Sequence, residues 1–180
     1  MIRFRTICAD PPWSFGDRLP GKSRGAAKNY RVMSIGDLCL LELPPLADDC
    51  RLFMWRVASQ VEEAYQVIRA WGFTPKTEIV WRKLTGTGKE HFGMGRTVRA
   101  AHEVCIVAVR GKPPVLNRGV RSVFSAPVGR HSEKPETFYR DIVERLSPGP
   151  YVELFGRRSR SGWTVIGDQA PEPKRLEARR

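Results

Sequence analysis

Hydrophobic positions along the chain fall into short continuous runs and longer runs at helical spacing, and the two kinds alternate. Arg5 to Ala9 reads as a buried strand that stops abruptly at Asp10-Pro11-Pro12-Trp13. A polar, Gly-rich stretch from Ser14 to Tyr30 separates it from a short helix beginning at Ser34. Leu52 to Val57 reads as the next strand. Ser59 then predicts a helix N-cap, with Glu62 three residues on completing a capping box. Val61, Ala64, Tyr65 and Ile68 share one face of that helix, and Gly72 marks its end. Further strands are expected at Glu78 to Trp81 and at Val104 to Val109, the latter apolar throughout, as a strand covered on both faces is. Pro135 sits near the first turn of a helix, where its missing N–H costs little. That helix turns Phe138, Tyr139, Ile142, Val143 and Leu146 inward. Tyr151 to Phe155, closed by Gly156, and Trp163 to Ile166 complete the strands. No internal repeat appears, and the alternation argues for an α/β sheet. Residues 1–170 are expected to form one domain, followed by a charged, flexible tail over 171–180.

Composition narrows the classes. The 180 residues are 41% hydrophobic, enough for a packed core. The longest apolar run is far too short to span a bilayer, and the N-terminus has no apolar signal core. Cys8, Cys39, Cys50 and Cys105 show no CxxC pairing, so a zinc site or disulfide framework is not expected and a reducing cytoplasm fits best. No metal is implied. The 31 Lys and Arg against 19 Asp and Glu leave a net charge of +12, which favours an anionic partner, nucleic acid before a membrane surface.

The excess is clustered. Ser14 to Arg31, Arg82 to Arg99 and Arg110 to Arg121 each carry a net +4, and all three flank strand ends. Each alone is consistent with an ordinary solvated surface. Together they suggest a shared groove that binds phosphates with little regard to sequence, with Arg18, Lys22, Arg24, Lys28, Lys83, Lys89, Arg96 and Arg99 as its cations.

Asp10-Pro11-Pro12-Trp13 is the string that suggests chemistry. In open α/β sheets ligands bind beyond the carboxyl ends of strands, where Asp10 falls. An ionised carboxylate only accepts hydrogen bonds, and the two prolines lack N–H donors, so the Pro11 carbonyl is expected to accept without competition. Together they would take both hydrogens of an exocyclic amine and localise its lone pair for attack on an electrophile. Trp13 would offer a face for base stacking, worth about 1–3 kcal/mol. The plainer alternative is a strand-end turn with Asp10 as a cap and Trp13 as core.

The motif resembles that of amino-group methyltransferases using S-adenosyl-L-methionine. The surrounding text is similar to the mRNA-adenosine methyltransferase (MT-A70) family, which includes bacterial and phage members. The resemblance runs through ADPPW at 9–13, Tyr30 with Met33-Ser34, LFMWRV at 52–57, AWGF at 70–73 and EIVWRK at 78–83. It continues through HEVCIVAVRG at 102–111, EKPETFYRDIVERLSPGPYVELFGR at 133–157 and GWTVIGDQ at 162–169. It implies a Rossmann-like class I methyltransferase sheet with helices on both faces, permuted so that the catalytic strand comes first and the cofactor strand last. It also implies an S-adenosyl-L-methionine-dependent N6-adenine methyltransferase that acts on nucleic acid by direct in-line transfer. DNA is favoured because compact stand-alone members look bacterial or viral. The base would be flipped out or single-stranded. An RNA N6-adenosine methyltransferase and a non-catalytic nucleic-acid-binding subunit are the alternatives, and a homodimer or a partner subunit stays open.

By the same resemblance Asp10, Pro11, Pro12 and Trp13 are catalytic, with Asp10 also touching the cofactor. Tyr30 borders the adenine pocket. Glu103 lies near the base, though a capping or paired strand residue is an equal reading. Lys134 lies near the methionine carboxylate and the substrate, its alternative being a solvated lysine before a helix. Phe155, Gly156 and Arg157 match the cofactor arginine and the pair before it, and Asp168 and Gln169 match a pair that bonds the cofactor ribose. Departures are an acidic segment that the family usually carries upstream of the catalytic strand and that is not expected here, Arg158-Ser159-Arg160 where an asparagine is common after Arg157, and Asp168 where an asparagine is common. His91 and His131 read as loop residues, Trp55, Trp71 and Trp81 as core, and the cysteines as small buried hydrophobes.

Overall fold

The computed structural model describes residues 2–14, 32–95, 97–129, 133–168, 170, 176 and 178. In chain order these form β1 (Phe4–Ala9), α1 (Ile35–Cys39), β2 (Leu46–Arg56), α2 (Val61–Ala70), β3 (Thr74–Leu84), β4 (His102–Arg110), β5 (Val123–Pro127), α3, β6 (Tyr151–Leu154) and β7 (Trp163–Ile166). Helix α3 winds as a π-helix over Phe138–Val143 and continues as an α-helix over Glu144–Leu146. The wide winding matches its inward residues, because Phe138, Tyr139, Ile142 and Val143 are all buried.

The strands make one mixed sheet in the order β5-β3-β4-β2-β1-β6-β7. β4 runs antiparallel to both of its neighbours, and the remaining pairings are parallel. Period-two alternation sends successive side chains to opposite faces. Ile7, Leu52, Met54 and Ile106 pack with Leu38 of α1 and Ala64, Val67 and Ile68 of α2. Cys8, Phe53, Trp55, Cys105 and Val107 pack under Phe138, Tyr139, Ile142 and Val143 of α3. Helices therefore cover both faces, as a Rossmann-like α/β sheet requires.

Chain connections leave β1 toward β2 on one side, while β6 lies on the other and continues outward to β7. Ala9, the last residue of β1, is in register with Met54 of β2 and Leu154 of β6. The strand order reverses there, so the carboxyl ends of β1 and β6 flank the crevice in which such sheets bind ligands.

Three details differ from the sequence pattern. The α2 cap is Gln60, with no side-chain capping bond, rather than a Ser59–Glu62 box. Gln60 instead donates its amide to the Ser14 carbonyl at 2.7 Å, tying the start of α2 to the chain just past the proline pair. β5 escapes the pattern because it is a short edge strand with mostly exposed residues. Leu176, in the region read as a tail, packs against the α1–α2 core, and Ala178 bridges to Leu41. Among the described residues no helix is long and apolar enough to cross a membrane.

Candidate active site

Asp10 is the first residue past β1. The backbone then folds tightly, with the Trp13 N–H donating to the Pro11 carbonyl at 2.8 Å across Pro12. The Pro11 carbonyl is thus already accepting, contrary to the expectation that it has no competitor. The cause is local: Trp13 carries the first N–H after two prolines, and a buried N–H must find an acceptor. The Pro12 carbonyl accepts from the Met33 N–H at 2.9 Å. Trp13 itself is 3% exposed, packs in the α1–α2 core and donates its indole N–H to the Trp55 carbonyl at 3.1 Å. In this structure it props the turn from below and presents no open face to a base.

Beside Asp10 the structure assembles a chain of alternating charges from four elements. Lys134, just ahead of α3, places Nζ 2.6 Å from Asp10 Oδ2 and 3.2 Å from Glu103 Oε2. Glu103 Oε1 lies 2.5 Å from Lys83 Nζ at the end of β3. The Lys134 side chain is 6% exposed, and its ammonium lies 5.2 Å from the centroid of the Trp55 ring. Burial disfavours that ammonium, yet Asp10 and Glu103 outweigh it and hold the Lys134 pKa above its ordinary value. Burial likewise disfavours the Glu103 carboxylate, and Lys134 with Lys83 outweighs it, holding the carboxyl below its ordinary value. Lys134 is therefore a buried, charged residue facing the site, and Glu103 a strand residue paired into it. Asp10 Oδ1 accepts from no donor among the described residues.

At the neighbouring ends of β6 and β7 a second polar group closes the crevice. Phe155 has φ +65°, a strained conformation for a bulky side chain, held between β6 and Gly156. A Cβ on Gly156 would collide with the Val165 side chain, so glycine is needed there to pass β7. Arg157 and Asp168 are exposed. Arg160, which the sequence flagged only as a departure, is the arginine drawn inward. It stacks 3.4 Å from the Tyr139 ring centroid and pairs with Glu136 and, at 3.7 Å, with Glu153. Tyr139 donates to Glu153 Oε1 at 2.6 Å. Burial lifts the Glu153 carboxyl, outweighing Tyr139 and Arg160, and the charge of Asp10 adds to the lift. Arg160 Nε is buried and has no hydrogen-bond partner among the described residues.

The pattern of the MT-A70 family matches residues 4–169. The chain belongs to the MT-A70 family. It is 34% identical over 174 residues to the N(6)-adenosine-methyltransferase MT-A70-like protein of Drosophila melanogaster, covering 93% of this chain and 27% of that relative. The human N(6)-adenosine-methyltransferase catalytic subunit METTL3 is 33% identical over the same length, with 93% and 28% covered. The type II methyltransferase M.MunI of Mycoplasma sp is 30% identical over 192 residues, with 96% and 80% covered. This chain thus spans about a quarter of the METTL3-type relatives and most of M.MunI.

Within this MT-A70 domain, Asp10, Lys134 and Glu103, each of which the resemblance placed near substrate or cofactor, lie in contact through Lys134, and Lys83 joins them. Lys83 had been read as a groove cation; its pairing with Glu103 turns it inward. Lys89 and Arg99 are exposed on the loop after β3. The third basic stretch does not share this side: Arg110 ends β4 beside Cys50, at the opposite end of the sheet from Asp10. Antiparallel β4 decides this, by carrying its two flanking loops to opposite rims. Arg18, Lys22, Arg24, Lys28, Tyr30, Arg96, His131 and Gln169 lie outside the described residues. Sequence reading placed Trp55 only in the core and assigned nothing to Tyr139–Glu153–Arg160, since the signal in each is apolar spacing or a generic charge. Among the described residues no His, Cys, Asp or Glu cluster could hold a metal.

Proposed function

We propose that this chain is an S-adenosyl-L-methionine-dependent methyltransferase that modifies the N6 amine of adenine in a polynucleotide. The observation that carries the proposal is the Asp10 carboxylate at the reversal point of the sheet, fixed through Oδ2 by Lys134, with no donor on Oδ1 among the described residues. Names of relatives point the same way, as N(6)-adenosine-methyltransferases and a type II methyltransferase. The chain spans 80% of the latter, and DNA is the substrate we favour.

An adenine amine is a weak nucleophile because its lone pair is delocalised into the ring. Asp10 Oδ1 would accept one amine hydrogen and draw the nitrogen out of conjugation. Lys134 holds the carboxylate in one orientation, so the geometry precedes substrate binding. The Pro11–Pro12 turn keeps the acceptor from swinging away. The donor supplies a sulfonium methyl when bound. The residues present suit such a zwitterionic molecule: Lys134 and Asp10 set opposite charges side by side, and the buried Arg160 Nε, without a partner among the described residues, lies by Glu153 at the adjoining strand end. Arg157 and Asp168 border that end from the solvent side.

Tritiated S-adenosyl-L-methionine offered with matched single- and double-stranded DNA and RNA, followed by nucleoside analysis, tests the reading. N6-methyladenine should carry the label. Asp10→Asn should lower transfer by about 10²–10³-fold, while oligonucleotide affinity persists. Transfer that survives this substitution unchanged, or label on another atom, refutes the assignment.

A further inference from the structure

The loop between β3 and β4 exposes three apolar side chains that lie outside the core clusters: Phe92 at 74%, Met94 at 98% and Val98 at 75%. They sit in a stretch that also carries Lys89 and Arg99. The loop is built to hold them out. Leu84 bridges to Glu90, and the His91 N–H donates to the Lys83 carbonyl at 3.1 Å, so the chain doubles back on the end of β3. Phe92 thus begins one residue beyond a backbone bond to Lys83, whose side chain is part of the charge chain ending at Asp10. Further out the arc closes on itself. Side chains at Gly93 and Gly95 would strike the carbonyls of Ala100 and Val98, so both glycines permit backbone contact across the arc. The Arg99 guanidinium lies 4.8 Å from the Phe92 ring centroid, leaving an aromatic face and a cation presented together.

We propose that this loop is a wedge, in which Phe92, flanked by Met94, enters the base stack of a duplex and occupies the gap left by the extruded adenine. The proposal rests on the polynucleotide reading above and deepens it. A duplex hides its amine in base pairing, so extrusion needs something to hold the vacated space. Apolar side chains between base steps do this, and neighbouring cations anchor the phosphates. The same apolar tip would also suit contact between two copies of this chain, but its setting among Lys89 and Arg99 would bring like charges together there. A polyanion fits both features at once.

The test uses the full chain, Phe92→Ala and Phe92→Trp. The side chain is exposed, so both variants should keep the wild-type melting curve. A duplex carrying 2-aminopurine opposite thymine should brighten when wild type binds and stay dim with Phe92→Ala, and Phe92→Trp should restore the signal. This readout needs no methyl transfer, so the wedge and the methyltransferase reading fail separately. With methyl transfer as readout, the ratio of kcat/KM on duplex to that on single strand should fall roughly tenfold in Phe92→Ala. No brightening with wild type, or an unchanged ratio, overturns the wedge. So does a wild-type dimer in sedimentation that Phe92→Ala makes monomeric, which would assign the tip to self-association.

Discussion

Replacing Lys134 by methionine removes one ammonium and leaves its volume. At 2.6 Å from Asp10 and 3.2 Å from Glu103, each pairing is worth about 5–6 kcal/mol in gross Coulomb energy at an effective dielectric constant of about 20. Desolvation of an ammonium this buried offsets most of that. Removing the lysine, however, takes the ammonium from between two partly exposed carboxylates and leaves Lys83, 2.5 Å from Glu103, to offset them. The expected loss is about 2–4 kcal/mol at pH 7, discounted from the fully buried case because water reaches Asp10. That corresponds to roughly 5–15 °C in Tm for a chain of this length. The pH dependence supplies the sharper check. Glu103 is held below its ordinary value in the wild type, so its stabilisation is complete above the unfolded pKa and disappears as pH falls through the folded one. Lys134 is held above its ordinary value, so its stabilisation is complete below the unfolded pKa and disappears as pH rises through the folded one. In Lys134→Met the Glu103 carboxyl loses one of the two ammoniums that hold it down and regains a proton more readily, and protonation removes its repulsion. The gap between variant and wild type in urea denaturation should therefore shrink as pH falls from 7 toward about 4. A gap of constant size across that range would show that the ammonium does not neutralise these groups, and the account of the site would be wrong.

Two further outcomes probe the frame around the site. Gly156→Ala should cost about 1–3 kcal/mol, because its methyl collides with Val165 beside the strained Phe155; Val165→Ala added to it should recover part of the loss, and a strictly additive double mutant contradicts the close approach. Arg51→Met should cost about 2–4 kcal/mol, since the guanidinium donates to the carbonyls of Pro113, Pro114 and Leu146 at 3.0–3.1 Å. Hydrogen exchange should then quicken at the Leu116 amide, which donates to the Leu146 carbonyl at 3.0 Å, and unchanged protection there would remove Arg51 as the anchor of that loop.

Local signals in the chain were enough for the alternating elements, the apolar β4 and the abrupt stop at Asp10, because buried strands, Gly72 and the proline pair write their constraints into adjacent residues. Family resemblance brought Glu103 and Lys134 to the site, and the helix expected to begin at Ser34 starts at Ile35, with Ser34 as its cap accepting from the Asp37 N–H at 3.0 Å. The sequence by itself determined which groups bear charge and which strands are buried. Only tertiary structure decided which charges meet. Lys83, Glu103, Lys134 and Asp10 come from four separate segments, and their pairing follows from strand order rather than spacing. The antiparallel run of β4 brings Glu103 to the rim beside Asp10 and sends Arg110 to the far one, a direction that a period-two pattern does not encode. The fate of Trp13 was decided the same way. An indole after two prolines is equally a stacking face or a core anchor, and packing with the core that β1 and β2 share with α1 and α2 buried it.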